Sequence, residues 1–177
     1  MRSRTLMNFA VLTVGSVLLV GCPQALRVTI PVDLGEDLGT FEVQAGETVQ
    51  HRATTGVPQS SIDIGSGTIS INTDDITVTP APGKFGVNLQ GGNLIITAWI
   101  DTLAAIDTVC ETGEEYGPFT VELDEDWNVV SIDPSSVTLT QTTIDLLNGG
   151  EFSLCIEVTS PVDGTVSIDT LTFRVGL

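Results

Sequence analysis

The run LDEDWN places Asp124, Asp126 and Asn128 at alternate positions. Carboxylate and amide oxygens in this pattern are what a calcium loop presents to an ion that takes roughly six to eight oxygen ligands. An EF-hand would continue with Gly at position 129 and Glu at 135, where this chain has Val129 and Ser135. The competing reading is a hairpin turn in which Asp and Asn side chains bend their own backbone. Glu111, Glu114 and Glu115, in CETGEEYGPF, either join this cluster or form a solvated acidic loop. Calcium on Asp124, Asp126 and Asn128 is thus the one cofactor worth weighing, and the turn is the preferred reading, with no resident metal expected.

Catalysis needs a positioned acid, base or nucleophile. His51 is the single histidine, in TVQHRAT beside Arg52, and is expected at the surface on an exposed strand edge. No Gly-x-Ser-x-Gly elbow accompanies it. GSGTIS lacks the lysine of a phosphate loop and the helix that should follow. Pairs of carboxylates could serve a glycosidase, but with 23 acidic residues some pair meets by chance. Sugar platforms would have to come from Trp99, Trp127 or Tyr116, and Trp99 is expected in the core. No catalytic residue is assigned.

The elements that would position these groups are strands. Val, Ile and Thr dominate, and two-residue alternation recurs along the chain. TFEVQAGETVQ reads as strand, turn, strand. SSIDIGSGTISI puts Ile62, Ile64, Ile69 and Ile71 on one face. NLQGGNLIITAWI turns at Gly91-Gly92 and enters the most continuously apolar segment, the expected sheet centre. GPFTVELDEDWNVVSI turns Phe119, Val121 and Leu123 inward, and PSSVTLTQ puts Val137 and Leu139 together. FSLCIEVTSPVDGTVSIDTLTFRV reads as two strands about a turn at 161–164, with a bulge between Ile168 and Leu171. QTTIDLLNGG is either one helical turn capped by Thr142 or Thr143 and ended by Asn148-Gly149, or an Asn-Gly hairpin. Together these predict an all-β, antiparallel β-sandwich of about ten to twelve strands. One domain over residues 25–177 is expected, in preference to two joined near residues 101–102.

The first residues carry a different signal. Arg2 and Arg4 precede an apolar stretch over residues 6–20, shorter than the ~20 residues that span a bilayer comfortably, and the stretch stops at Leu19-Val20-Gly21-Cys22. This arrangement reads as a secretion signal, and its ending resembles the lipobox of bacterial lipoproteins. The resemblance covers residues 1–22 only. It implies cleavage after residue 21, a diacylglycerol on the Cys22 thiol, and residues 22–24 as a short tether to the membrane. Pro23 stands where an inner-membrane retention Asp would be, which points to the outer membrane or cell surface. The alternatives are an ordinary signal peptide in which Cys22 is a chance thiol, or an uncleaved anchor helix.

With Cys22 assigned to lipid, Cys110 and Cys155 remain, and in an oxidising compartment a disulfide between them is expected. Two free thiols or half of a metal site are the alternatives, and one histidine is too few for a Cys/His zinc set. The immunoglobulin pattern of a core disulfide against a Trp is not met: Cys155 falls on the opposite face from Phe152, Leu154, Ile156 and Val158, and Trp127 adjoins a turn. The bridge is therefore expected near the surface.

The chain has six basic against 23 acidic residues, a net charge of −17. Beyond the signal only Arg27, Arg52, Lys84 and Arg174 are basic, which brings the balance to −19. Such a surface repels nucleic-acid phosphates, so no nucleic-acid partner is expected. The function expected is that of a lipid-anchored, non-catalytic binding, scaffold or assembly module, with the membrane and an envelope or surface protein as partners. A carboxylate-based hydrolase of the periplasm or cell surface is the alternative.

Overall fold

The computed structural model describes residues 27–57, 63–83 and 92–176. The lipobox with Cys22, the tether, Ile62, Lys84 and Gly91 lie outside the described residues. Twelve strands are found among those described: β1 (Arg27–Asp33), β2 (Thr40–Val43), β3 (Thr48–Gly56), β4 (Ser66–Ser70), β5 (Ile76–Pro80), β6 (Asn93–Asp101), β7 (Glu114–Leu123), β8 (Val129–Asp133), β9 (Val137–Thr138), β10 (Glu151–Thr159), β11 (Gly164–Ile168) and β12 (Thr170–Gly176). Three α-helical pieces interrupt them, α1 (Gly35–Gly39), α2 (Val109–Thr112) and α3 (Gln141–Gly149), with two 3-10 turns at Thr73–Asp75 and Leu103–Ala105. Every strand pairing is antiparallel, and the architecture is the expected β-sandwich.

One layer is a five-stranded sheet in the order β3-β10-β6-β7-β8. Its centre is β6, the apolar segment singled out in the sequence. The inward residues of β6 are Leu94, Ile96, Ala98 and Ile100, and those of β10 are Phe152, Leu154, Ile156 and Val158; all eight are fully buried. Phe119, Val121 and Leu123 of β7 join them, as the alternation predicts.

The facing layer consists of a four-stranded sheet, β1-β12-β4-β9, and a three-stranded sheet, β2-β11-β5. Each strand of the smaller sheet continues one of the larger. Chain runs from β1 through α1 into β2, from β4 through a 3-10 turn (Thr73–Asp75) into β5, and from β11 into β12 past the single residue Asp169. The two sheets therefore form one layer bent at a crease. At the crease, Leu34 N donates to Asp169 O (3.0 Å) and Asp169 N donates to Asp75 O (2.8 Å). The segment 152–175 is accordingly three strands rather than two. The odd spacing of Ile168 and Leu171 marks the point where one sheet gives way to the other, because an inserted residue reverses which face the side chains occupy. Gly164, which opens β11, has φ +153°, and a Cβ there would collide with the Thr79 carbonyl.

The helical stretch is longer than one turn. α3 is capped by Thr140, not Thr142 or Thr143: the Thr140 hydroxyl accepts from Thr143 N at 3.3 Å. It ends at Gly150 (φ +90°), whose N–H bonds Leu146 and Leu147 carbonyls. Its buried side, Thr143, Ile144 and Leu147, closes one part of the core. The buried Tyr116 hydroxyl donates to Thr143 Oγ1 (2.6 Å) and accepts from Thr140 N (3.2 Å), fixing the cap to β7. No hairpin forms at Asn148-Gly149; the Asn148 side chain instead bonds both the N–H and the carbonyl of Ile64.

Candidate functional site

On the outer face of the five-stranded sheet, Arg52, Cys155 and Trp99 stand in one row across β3, β10 and β6. Cys155 is bonded to Cys110 of α2, with Cα atoms 5.4 Å apart. The expected bridge is present, and it clamps the segment between β6 and β7 onto this face. Cys155 is fully buried and Cys110 nearly so, together with Val109 and the partly buried Trp99. Trp99 is thus not a residue of the central core; it packs against the disulfide outside the sheet. Arg52 seals the arrangement, its Nε donating to Cys110 Sγ (2.9 Å) and one terminal nitrogen to Asp107 O (2.7 Å). The Ser153 hydroxyl donates to Leu103 O (3.3 Å).

Several polar side chains on the rest of this face are paired with each other. Gln50 Nε2 donates to Glu157 (2.7 Å), Ser131 Oγ to Glu122 (2.9 Å) and Thr112 Oγ1 to Asp101 (3.0 Å). Glu111 lies on α2 and Glu114 and Glu115 open β7. Asp124 follows the far end of that ten-residue strand, a distance of about 30 Å at ~3.4 Å per residue. These acids do not join Asp124.

Asp124, Asp126 and Asn128 form the turn between β7 and β8. Asp124 Oδ1 accepts from the backbone N–H of Asp126 (2.9 Å) and Asn128 (2.9 Å), and its carboxylate also accepts from Asn128 Nδ2 (3.0 Å to Oδ2). Trp127 occupies the positive-φ position of the turn (φ +68°), with its ring buried. The Asn128 side chain, then its backbone N–H, hold the Asp124 carboxyl below the usual carboxylate range. Asp124 is therefore engaged in closing the turn. Among the described residues no group of three or more His, Cys, Asp or Glu converges as a metal site.

A prediction follows with its sign worked out. A carboxyl whose folded pKa is depressed contributes stability above the unfolded value, near 3.9, and loses it as pH falls through the folded value. Asp124→Asn is expected to lower the melting temperature at pH 7, with the gap to wild type closing as pH falls below the ordinary carboxylate value and through the depressed folded one. Calcium is expected to shift neither melting curve beyond the shift given by magnesium at equal ionic strength. A calcium-specific rise in wild type, lost in Asp124→Asn/Asp126→Asn, would promote the turn to a metal site.

His51 lies on the edge strand β3, as expected, but it is not a free surface residue. Opposite Ile156 in the register, it faces inward and stacks on Phe41 at 4.4 Å between ring centroids, with its Nδ1 buried and without a hydrogen-bond partner. An imidazole so placed has no neighbour on Nδ1 to orient it as a base.

The layer with the crease has a different outer face. One row across its four strands reads Thr29, Arg174, Thr68 and Thr138, and the next reads Pro31, Thr172 and Ser70. Two open clefts flank the crease. One, of about 360 Å³, is lined by Asp33, Gly35, Thr40, Ser167, Asp169 and Thr170. The other, of about 260 Å³, lies between β4, β12 and the β8–β9 connection, and is lined by Ser70, Ile71, Asn72, Thr73, Ile132, Ser135, Ser136 and Arg174. The Arg174 guanidinium bonds no described residue, in contrast to Arg52. Nothing in the sequence marks this second cleft, because its residues meet only through strand register.

No family model and no curated protein matches the sequence. Among solved structures the chain is similar to a xylan-binding module CBM15, at a TM-score of 0.42 and 9% identity over 84% of this chain and 97% of that one.

Proposed function

We propose that this chain is a lipid-anchored, non-catalytic binding or scaffold module of the bacterial cell envelope or surface. Lipid on Cys22 holds it to the membrane, and its partner is an envelope or surface molecule rather than a nucleic acid. The observation that carries the reading is the Cys110–Cys155 disulfide. Such bonds persist in oxidising compartments outside the cytosol, where the signal ending Leu19-Val20-Gly21-Cys22 would deliver the chain. Pro23 in place of a retention Asp favours the outer membrane or surface. The inward stack of His51 on Phe41 supports a non-catalytic role, since it ties up the one imidazole of the chain.

Anchoring is tested by metabolic labelling of the full chain with a palmitate analogue. Wild type is expected to incorporate the label and fractionate with membranes, because acyl chains acting together hold a protein where a single chain holds it only marginally. Cys22→Ser is expected to lose all label and to accumulate with its signal uncleaved. A Cys22→Ser protein that is processed and fractionates normally would overturn the anchor.

A further inference from the structure

We propose that the cleft at Arg174 is a glycan subsite that takes a carboxylated sugar residue, such as a uronate of an acidic polysaccharide. This names a ligand for the binding module proposed above and rests on that reading. The argument begins with charge. In a chain with 23 acidic and six basic residues, carboxylates are the commonest charged neighbours available. Yet the Arg174 guanidinium has no carboxylate or carbonyl partner among the described residues, and no acidic side chain lines its cleft. Asp75, which hydrogen-bonds to the lining, is held there by Asn72 Nδ2 at 2.7 Å.

A guanidinium offers five donors in a planar fork that matches one carboxylate bidentately. The remaining lining supplies what a sugar ring requires. Ser135, Ser136 and Thr73 carry hydroxyls that make no hydrogen bond within the described protein, and each both donates and accepts. Ile132, which is only partly buried, gives the cleft an apolar surface against which ring C–H groups pack. A volume of about 260 Å³ is that of a single ring subsite rather than a buried pocket. A peptide carboxylate would meet the same arginine, but it would leave the ring of hydroxyls without partners. The acid-rich surface that repels nucleic-acid phosphates also repels a uronate chain, with screening beyond about 8 Å at physiological salt, so binding is weak and confined to the one carboxylate paired with Arg174.

The test is a titration of the purified, ¹⁵N-labelled protein with trigalacturonate, the neutral trisaccharide galactotriose and triglutamate at matched ionic strength. The readouts are the Arg174 Nε–Hε signal and the amides of Asn72, Ser135 and Ser136. Trigalacturonate is expected to shift all of them saturably, with the other two ligands at least tenfold weaker. Arg174→Gln is expected to weaken trigalacturonate at least tenfold. Arg27→Gln, which removes the same charge from the same sheet face outside the cleft, should leave it unchanged. Ser135→Ala/Ser136→Ala, a surface change, should weaken it several-fold and serves should Arg174→Gln not fold. Galactotriose binding as tightly overturns the carboxylate, triglutamate binding as tightly overturns the sugar, and equal losses in Arg174→Gln and Arg27→Gln overturn the cleft. Absence of a saturable shift overturns the proposal outright. Palmitate labelling reads the anchor independently, so failure of the glycan and failure of the envelope reading are distinguishable.

Discussion

Replacing Cys110 and Cys155 together by Ala is expected to remove about 4 kcal/mol of stability. The bridge spans 45 residues of sequence, and in the chain-entropy relation a loop of that length restricts the unfolded chain by roughly this amount. For a chain of this size the melting temperature should fall by about 8–16 °C. Alanine is the right replacement because serine would bury hydroxyls against Val109 and Trp99. The double variant should lose the protection of α2 against hydrogen exchange before that of β10. Without the bond, α2 keeps the packing of Val109 against Trp99 and the Thr112 bond to Asp101, and the segment before it keeps the ties of Arg52 to Asp107 O and Ser153 to Leu103 O. Wild type in excess dithiol should match the variant. A loss below about 1 kcal/mol, or a reduced wild type that melts like the oxidised protein, would show that the bridge constrains little.

The parts of this fold that were legible in the sequence are those where one physical demand acts alone. β6 reads as the sheet centre because both of its faces are covered, so its apolar run is nearly continuous. β7 and β10 read correctly because one inward face imposes alternation. The Cys110–Cys155 pair was legible because the chain has three cysteines and the lipobox resemblance sets Cys22 aside. The misreadings occur where two demands compete. QTTIDLLNGG leaves one helical turn or a hairpin open; its β-branched Thr142, Thr143 and Ile144 are weak helix formers, and tertiary packing of Ile144 and Leu147 with the Tyr116 hydroxyl on the cap extends the helix nonetheless. At Asp169 the alternation breaks, and a bulge in one strand cannot be told by pattern from a crossing between two sheets.

Side-chain surroundings were less legible than strands. Trp99 is apolar enough for the core, but its parity places it outside the sheet, where the disulfide shelters it. His51 sits among polar neighbours in TVQHRAT, yet parity turns it inward onto Phe41, a residue of the other layer. The Arg174 cleft draws on residues 70, 135, 136 and 174. No local pattern joins positions so far apart; only the register of β12 on β4 and of β4 on β9 does.

Phe152→Ala is expected to cost about 3–5 kcal/mol, the usual range for emptying an aromatic site in a closed core. Phe152 and Phe173 are both fully buried, and their rings meet edge to face at 6.2 Å and 81°. One ring comes from β10 and the other from β12, so the contact joins the two layers of the sandwich rather than neighbours in one sheet. Of a stability that for ordinary domains totals roughly 5–15 kcal/mol, this one site would remove a large part. Phe152→Leu refills most of the volume and should lose less than half as much. A double-mutant cycle over Phe152→Leu and Phe173→Leu is expected to return a coupling of about 0.5–1.5 kcal/mol for the aromatic pair. Urea titration separates this effect from loss of the disulfide even though the two are similar in size. Phe152→Ala acts on the folded state and should move the midpoint with the slope m unchanged, whereas removal of the bridge lets the unfolded chain expand and should raise m. A zero coupling would mean that the layers are held at this point by volume alone, and an altered m in Phe152→Ala would mean that the core had loosened rather than emptied.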